Sequence, residues 1–259
     1  MKGHILIFLF CFSCGISGCS LVRLSQPSAG KLLSNPDFSW ASDTTTHFIV
    51  NYQKQSPAEE RLGRIRLDLE ESYAFIELLL DESYAYKNYL QVFIVSSRSQ
   101  MKHLIGYETN GTAFSKTEVL CYIVSNNMTL GAKHELLHVM AMNQWGIPDR
   151  WINEGLAVYA DDQWHGHDLH ALSSHLNQTG EMLAVGDLIS NFRKRNDLVT
   201  YPLAGSLVKY IYETYGVASV KSIWQGKAIS QALGIEVEAL EKEWLASLPE
   251  PITLDYSIR

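Results

Sequence analysis

The hydrophobic pattern of this chain changes period near its midpoint. Leu62, Ile65, Leu69, Tyr73 and Ile76 recur at helical spacing and predict a long amphipathic helix over Pro57–Leu80. Before it, Thr45–Tyr52 alternates polar and apolar positions, the two-residue period of a half-buried strand. Tyr89–Val95, Gly111–Phe114 and Glu118–Ser125 read as three more strands, with a short helix over Ser99–Gly106. Beyond residue 130 the helical period takes over. It covers the stretches around His134 and Trp151, then Leu169–Gly180, Val185–Phe192, Leu203–Tyr215, Val217–Ser230 and Val237–Leu248. Strands first and helices last predict an α+β fold. A small mixed N-terminal sheet packs on the helix carrying His134, and a mainly helical part follows.

The first 18 residues depart from this pattern. Lys2 precedes an apolar run from Ile5 to Ile16 that is too short to cross a bilayer as a helix, so it reads as a processing signal. The run ends in Ile16-Ser17-Gly18-Cys19, which resembles the bacterial lipobox. That resemblance implies cleavage before Cys19 and its lipidation, with several acyl chains giving firm membrane attachment. Ser20, in place of Asp, favours the outer membrane of a two-membrane host, facing the periplasm. A plain secretory signal cut elsewhere, or an uncleaved anchor, is the alternative. Residues 19–42 are rich in Ser, Pro, Asn and Gly and read as a tether, leaving 43–259 as one domain.

Composition narrows the partners. With 46% hydrophobic residues, the mature chain suffices for one domain with a substantial core. A net charge of −7 argues against nucleic acid or an anionic lipid surface as partner. Of four cysteines, the lipobox resemblance implies that Cys11 and Cys14 leave with the signal and that Cys19 carries lipid. Cys121 remains alone in an apolar strand, which excludes a disulfide framework and predicts a buried thiol.

The candidate chemistry lies in His134-Glu135-Leu136-Leu137-His138 and in Trp151-Ile152-Asn153-Glu154-Gly155-Leu156-Ala157. Residues four apart on a helix share a face, about 6 Å apart along the axis, so His134 and His138 can grip one metal ion. Glu135 lies roughly 100° round the helix, placed to reach a metal-bound water without ligating the metal. Pro148 lets the chain turn and send back a second helix bearing Glu154, the candidate third ligand. Two imidazoles, one carboxylate and an open position make a catalytic zinc environment, with one Zn2+ per chain. The alternative is an ordinary amphipathic helix with two partly buried histidines, and the Asn-Glu-Gly segment tells against it.

These residues resemble the gluzincins, the zinc-peptidase clan of thermolysin and the aminopeptidase N family. The closer likeness is to the bacterial peptidase MA-like domains, whose pattern runs from a TxHFxxxY strand through the HExxH and WxxEGxA helices to a Tyr-led helix ending in Tyr-Gly. Here those parts read Thr45–Tyr52, the zinc segments, and Tyr201-Pro202-Leu203-Ala204-Gly205 through Tyr215-Gly216. The resemblance implies a thermolysin-like catalytic core in which Glu135 is the general base. It also makes Tyr201 the candidate donor to the developing oxyanion, although Gly205 falls one residue late for the family's Tyr-x-x-Gly. A tyrosine merely packed at a helix N-terminus is the other reading of Tyr201. Four residues after the third ligand, where thermolysin-like enzymes have an Asp that orients a histidine, this chain has Val158. Asp161, Asp162 and Asn143 are the substitutes within reach. The strand that holds the substrate amine in the aminopeptidase N family would be Gly111–Phe114, which has no carboxylate. That weakens an aminopeptidase reading and leaves an edge for an extended peptide.

The run from Asp161 to His170 collects His165, His167 and His170 among Asp161, Asp162 and Asp168. It predicts either a solvated loop on the cleft rim or a further metal site. The expected function is a lipid-anchored zinc metallopeptidase of the bacterial cell envelope, acting on peptides or envelope proteins as an endopeptidase. A non-catalytic zinc-binding envelope scaffold is the alternative, and a cell-wall amide hydrolase a third reading. Retention of Glu135 favours catalysis, since a structural zinc site needs no base.

Overall fold

Five strands form one mixed sheet: β1 (Trp40–Thr44), β2 (Phe48–Gln53), β3 (Leu90–Val95), β4 (Gly111–Phe114) and β5 (Val119–Ile123), in the order β1-β2-β3-β5-β4. The computed structural model describes residues 26–82, 88–125 and 130–256. Strands β2, β3 and β5 run parallel, while β1 and β4 are antiparallel edges. The β2-to-β3 crossover carries α2 (Pro57–Glu60) and α3 (Leu62–Leu80), so the helix predicted over Pro57–Leu80 breaks at Arg61. Helix α4 (Arg98–Ile105) follows β3.

The central strands are near-continuous apolar runs because both faces are covered. Val92, Ile94, Leu120 and Tyr122 point into the larger core, shared with α3 and the later helices. Phe93, Val95, Val119, Cys121 and Ile123 point into a smaller cluster on the opposite face. Cys121 is fully buried there, and burial pushes its thiol well above its ordinary range, as an inert core thiol requires.

The smaller cluster corrects the expected tether. Residues 26–42 fold onto the sheet as α1 (Ala29–Leu33) and the start of β1, with Leu32 and Phe38 buried. Phe38 stacks on Trp40 at 5.2 Å, Trp40 meets Phe93 edge-on at 5.2 Å, and Trp40 Nε1 donates to the Leu32 carbonyl. Average composition hid this, because three large side chains among small polar ones suffice to dock a short segment. The signal, Cys19 and the start of the tether lie outside the described residues.

The helical part comprises α5 (Ala132–Trp145), α6 (Arg150–Asp161), α7 (Leu169–Gln178), α8 (Val185–Asn191), α9 (Asp197–Tyr215), α10 (Val217–Trp224), α11 (Ile229–Leu233) and α12 (Val237–Ser247). A hairpin of β6 (Gln163–Trp164) and β7 (His167–Asp168) separates α6 from α7. The helix predicted over Val217–Ser230 is two, because Gly226 takes φ 91° between them. Helix α9 starts earlier than predicted and runs through Pro202. Proline has no N–H for the Leu198 carbonyl one turn back, and the Tyr256 hydroxyl donates to that carbonyl instead. Among the described residues no helix is long and apolar enough to cross a membrane.

Candidate metal centre

Helix α5 packs on α3, α6 and β4. Its Leu136, Leu137, Val139, Met140 and Ala141 enter the larger core, which directs His134 and His138 toward α6. A turn at Gly146–Asp149 reverses the chain, and α6 brings Glu154 back against them. Helix α6 can reach this depth because Gly155 and Gly205 have no side chains. A Cβ on Gly155 would lie 2.8 Å from the Ala204 carbonyl oxygen, and one on Gly205 would lie 2.5 Å from Val158 Cγ1. The second contact also places Val158: its buried side chain fills the α6–α9 crossing.

The ligand atoms of His134, His138 and Glu154 all lie within 4.8 Å of one another. Glu154 Oε2 is 3.7 Å from His134 Nε2 and 3.6 Å from His138 Nε2. His138 Nε2 and Glu154 Oε2 are buried with no hydrogen-bond partner, a donor set that fits a metal cation. The outward nitrogens are both engaged. His134 Nδ1 is 3.1 Å from Asp161 Oδ2, and His138 Nδ1 is 3.0 Å from Asn153 Oδ1. Each acceptor holds the Nδ1 proton and leaves the Nε2 lone pair for a metal.

Asp161 was among the substitutes the sequence offered, and the other two are not used. Asp162 pairs with Lys209 at 2.7 Å, and Asn143 is exposed on α5. Asp161 stands seven residues after Glu154, two turns along the same helix face. Asn153 carried no assigned role in the sequence, because its contact depends on how α5 and α6 cross.

Glu135 is buried against β4. The bare Gly111 makes room for it, since a Cβ there would lie 3.1 Å from Glu135 Oε1. Burial pushes the Glu135 carboxyl up to about 7, with the charges of Glu154 and Asp161 adding and His134 opposing. A carboxyl in that range suits proton transfer near neutral pH. Burial lowers His138 to about 4, and the neighbouring His134 pushes in the same direction. Burial would lower His134 too, but the hydrogen bonds to Asp161 and Glu154 and the charges of Asp161 and Glu135 together outweigh it and raise the imidazole well above its ordinary value. For Glu154 burial is overcome by His134, His138 and Arg150, which hold its carboxylate below the usual range.

Tyr201 is buried early in α9, and its hydroxyl accepts a 3.0 Å hydrogen bond from Arg150 Nη2. Burial and the nearby Glu154 charge push its phenol well above the ordinary range. The histidines of residues 165–170 do not converge. His165 and His167 set their rings against Tyr256, and His170 Nδ1 bonds Ser206 Oγ at 2.7 Å. Among the described residues only His134, His138 and Glu154 form a group of three or more metal-ligating side chains.

Comparison with known proteins adds three findings. A family model described as the Peptidase MA superfamily matches residues 71–250. No curated protein matches the chain. Among solved structures it is similar to an aminopeptidase N family protein from Idiomarina loihiensis, at 13% identity and a TM-score of 0.43, over 83% of this chain and 48% of that one. The chain therefore spans about half the length of that protein.

Proposed function

This chain belongs to the Peptidase MA superfamily, and from that premise we propose that it is a lipid-anchored, zinc-dependent metallopeptidase of the bacterial cell envelope. The observation that carries the reading is the inward-facing trio of His134, His138 and Glu154, with buried atoms lacking partners, beside a buried Glu135 that belongs to no ligand set. Two imidazole nitrogens and one carboxylate are the donor set of a catalytic zinc site. Bound there, zinc would supply Lewis-acid polarisation and ionise a water near neutral pH.

The chain's own residues supply the rest. Glu135 takes a proton from the attacking water and delivers it to the leaving amine. The Tyr201 hydroxyl donates to the carbonyl oxygen as charge develops on it. Strand β4 is an edge of the sheet next to Glu135, and an extended peptide can add to it through backbone hydrogen bonds. Gly111–Phe114 offers no carboxylate to hold a free amine, which favours an endopeptidase on peptides or envelope proteins.

Metal analysis and cleavage profiling test this together. The purified domain should bind about one zinc per chain, and Glu154→Ala should lower that occupancy sharply. Zinc-loaded protein should cleave peptides blocked at the amine as readily as free ones. Zinc-loaded protein that cleaves nothing across a broad peptide library would instead mark a scaffold. Anchoring is tested separately: Cys19→Ser should abolish palmitate uptake and membrane partitioning, and unchanged partitioning would remove the lipoprotein reading.

A further inference from the structure

Arg150 opens α6 and stands between two residues of the site. Its Nη2 donates to the Tyr201 hydroxyl at 3.0 Å, and its Nε lies 3.7 Å from Glu154 Oε1. The other Glu154 oxygen, Oε2, faces His134 and His138. A guanidinium carries donors only, so the Tyr201 oxygen is the acceptor and its own proton must point elsewhere. The phenol ring has little freedom, for Trp164 stacks on it at 5.1 Å and Phe192 packs at 5.4 Å. With the ring clamped, the remaining variable is the direction of the O–H bond, and Arg150 sets it.

We propose that Arg150 is a positioning residue that aims the Tyr201 O–H at the scissile carbonyl oxygen while turning Glu154 so that Oε2 alone faces the metal. This rests on the peptidase reading above and deepens it. One arm of the planar guanidinium donates to the phenol while its charge stays 3.7 Å from Glu154 as an ion pair without a hydrogen bond, a geometry that an ammonium on a flexible stem reproduces poorly. A guanidinium that merely neutralised the buried Glu154 charge would have no need of the phenol, and lysine could replace it.

The test is a double-mutant cycle on zinc-loaded protein, with zinc content measured for every variant. The variants are Arg150→Met, Arg150→Lys, Tyr201→Phe, and Arg150→Met combined with Tyr201→Phe. Arg150→Lys keeps the charge beside Glu154 and so guards against loss of folding. For each we would measure kcat and KM on a blocked peptide, and the affinity for a phosphinic peptide whose tetrahedral oxygens mimic the oxyanion. Arg150→Met and Tyr201→Phe should each lower kcat by roughly 10²-fold, the scale of one lost oxyanion donor, with KM little changed. The double variant should be no worse than the more damaged single one, and phosphinic affinity should follow the same pattern. Arg150→Lys should retain its zinc yet recover little of kcat.

Additive losses, full activity of Arg150→Lys, or activity falling only in step with zinc content would each overturn the proposal. If wild type cleaves no peptide, the peptidase reading fails, and phosphinic binding still decides. Coupled losses there would support the Arg150–Tyr201 unit, whereas additive losses or no binding by wild type would sink it.

Discussion

His134 and His138 stand four residues apart on one helix, while His165, His167 and His170 are spread over a hairpin turn, a short strand and the start of the next helix. Both stretches place histidines near carboxylates, yet only the first pair shares a target. On α5 the helical repeat forces the two imidazoles onto one face, and α6 returns Glu154 to meet them. In the hairpin, His165 is a turn residue at φ 52° beside Gly166 at φ 85°, so its direction follows the turn. His167 turns to Tyr256, and His170 turns to Ser206 on α9. Residue type alone therefore does not make a metal site. A backbone repeat that leaves the side chains no choice of direction does.

The largest expected effect breaks the comparison at the base. Glu135→Gln keeps size and helix propensity but removes the proton acceptor. Turnover should fall by roughly 10²-fold or more while zinc content and melting temperature stay near wild type. Equal turnover of the two proteins would end the proposed mechanism.

The next effect concerns the residues that hold the imidazoles. Asp161→Ala and Asn153→Ala should each weaken zinc binding by about 10- to 100-fold in a chelator competition, because each frees an Nδ1 proton. Asp162→Ala loses the pair with Lys209 and strains the left-handed end of α6 at φ 54°, but it removes no contact to His134 or His138 and should leave zinc affinity where it was. A matching loss in Asp162→Ala would show that acidity in general, and not the Asp161 contact, supports the site.

A smaller effect tests whether the α6–α9 contact holds Glu154 at its depth. Gly155→Ala puts a methyl 2.8 Å from the Ala204 carbonyl oxygen. It should cost about 1–3 kcal/mol of stability by chemical denaturation, as overpacking does. An unchanged midpoint would mean that the two helices part easily, and that glycine is not what brings Glu154 in.

The smallest effect is expected in the hairpin. His165→Ala combined with His167→Ala should leave zinc stoichiometry at one and turnover within about twofold, since His165 is exposed, His167 is half-buried and neither belongs to the metal-ligating trio. Loss of a second metal equivalent in that variant would restore the hairpin as a site.

Much of this could be read before any coordinates. Central strands β3 and β5 announce themselves as apolar runs, and α7 and α8 fall close to their predicted spans. The docking of residues 26–42 was not legible, since Leu32, Phe38 and Trp40 are too few to show a period. Nor was the early start of α9, where Pro202 suggested a boundary but Tyr256, far along the chain, satisfies the carbonyl left bare.

What the sequence determined by itself is whatever follows from a fixed repeat along one helix. His134 and His138 must share a face, Glu135 must sit beside them, and Asp161 must fall on the same side of its helix as Glu154. Tertiary structure decided which helix meets which. The Asn153 bond to His138, the Arg150 bond to Tyr201 and the Gly155–Ala204 contact each join residues from different elements. Their meeting depends on crossing angles and depths of packing that no local pattern encodes, and they are set only when both elements bury their apolar faces in one core.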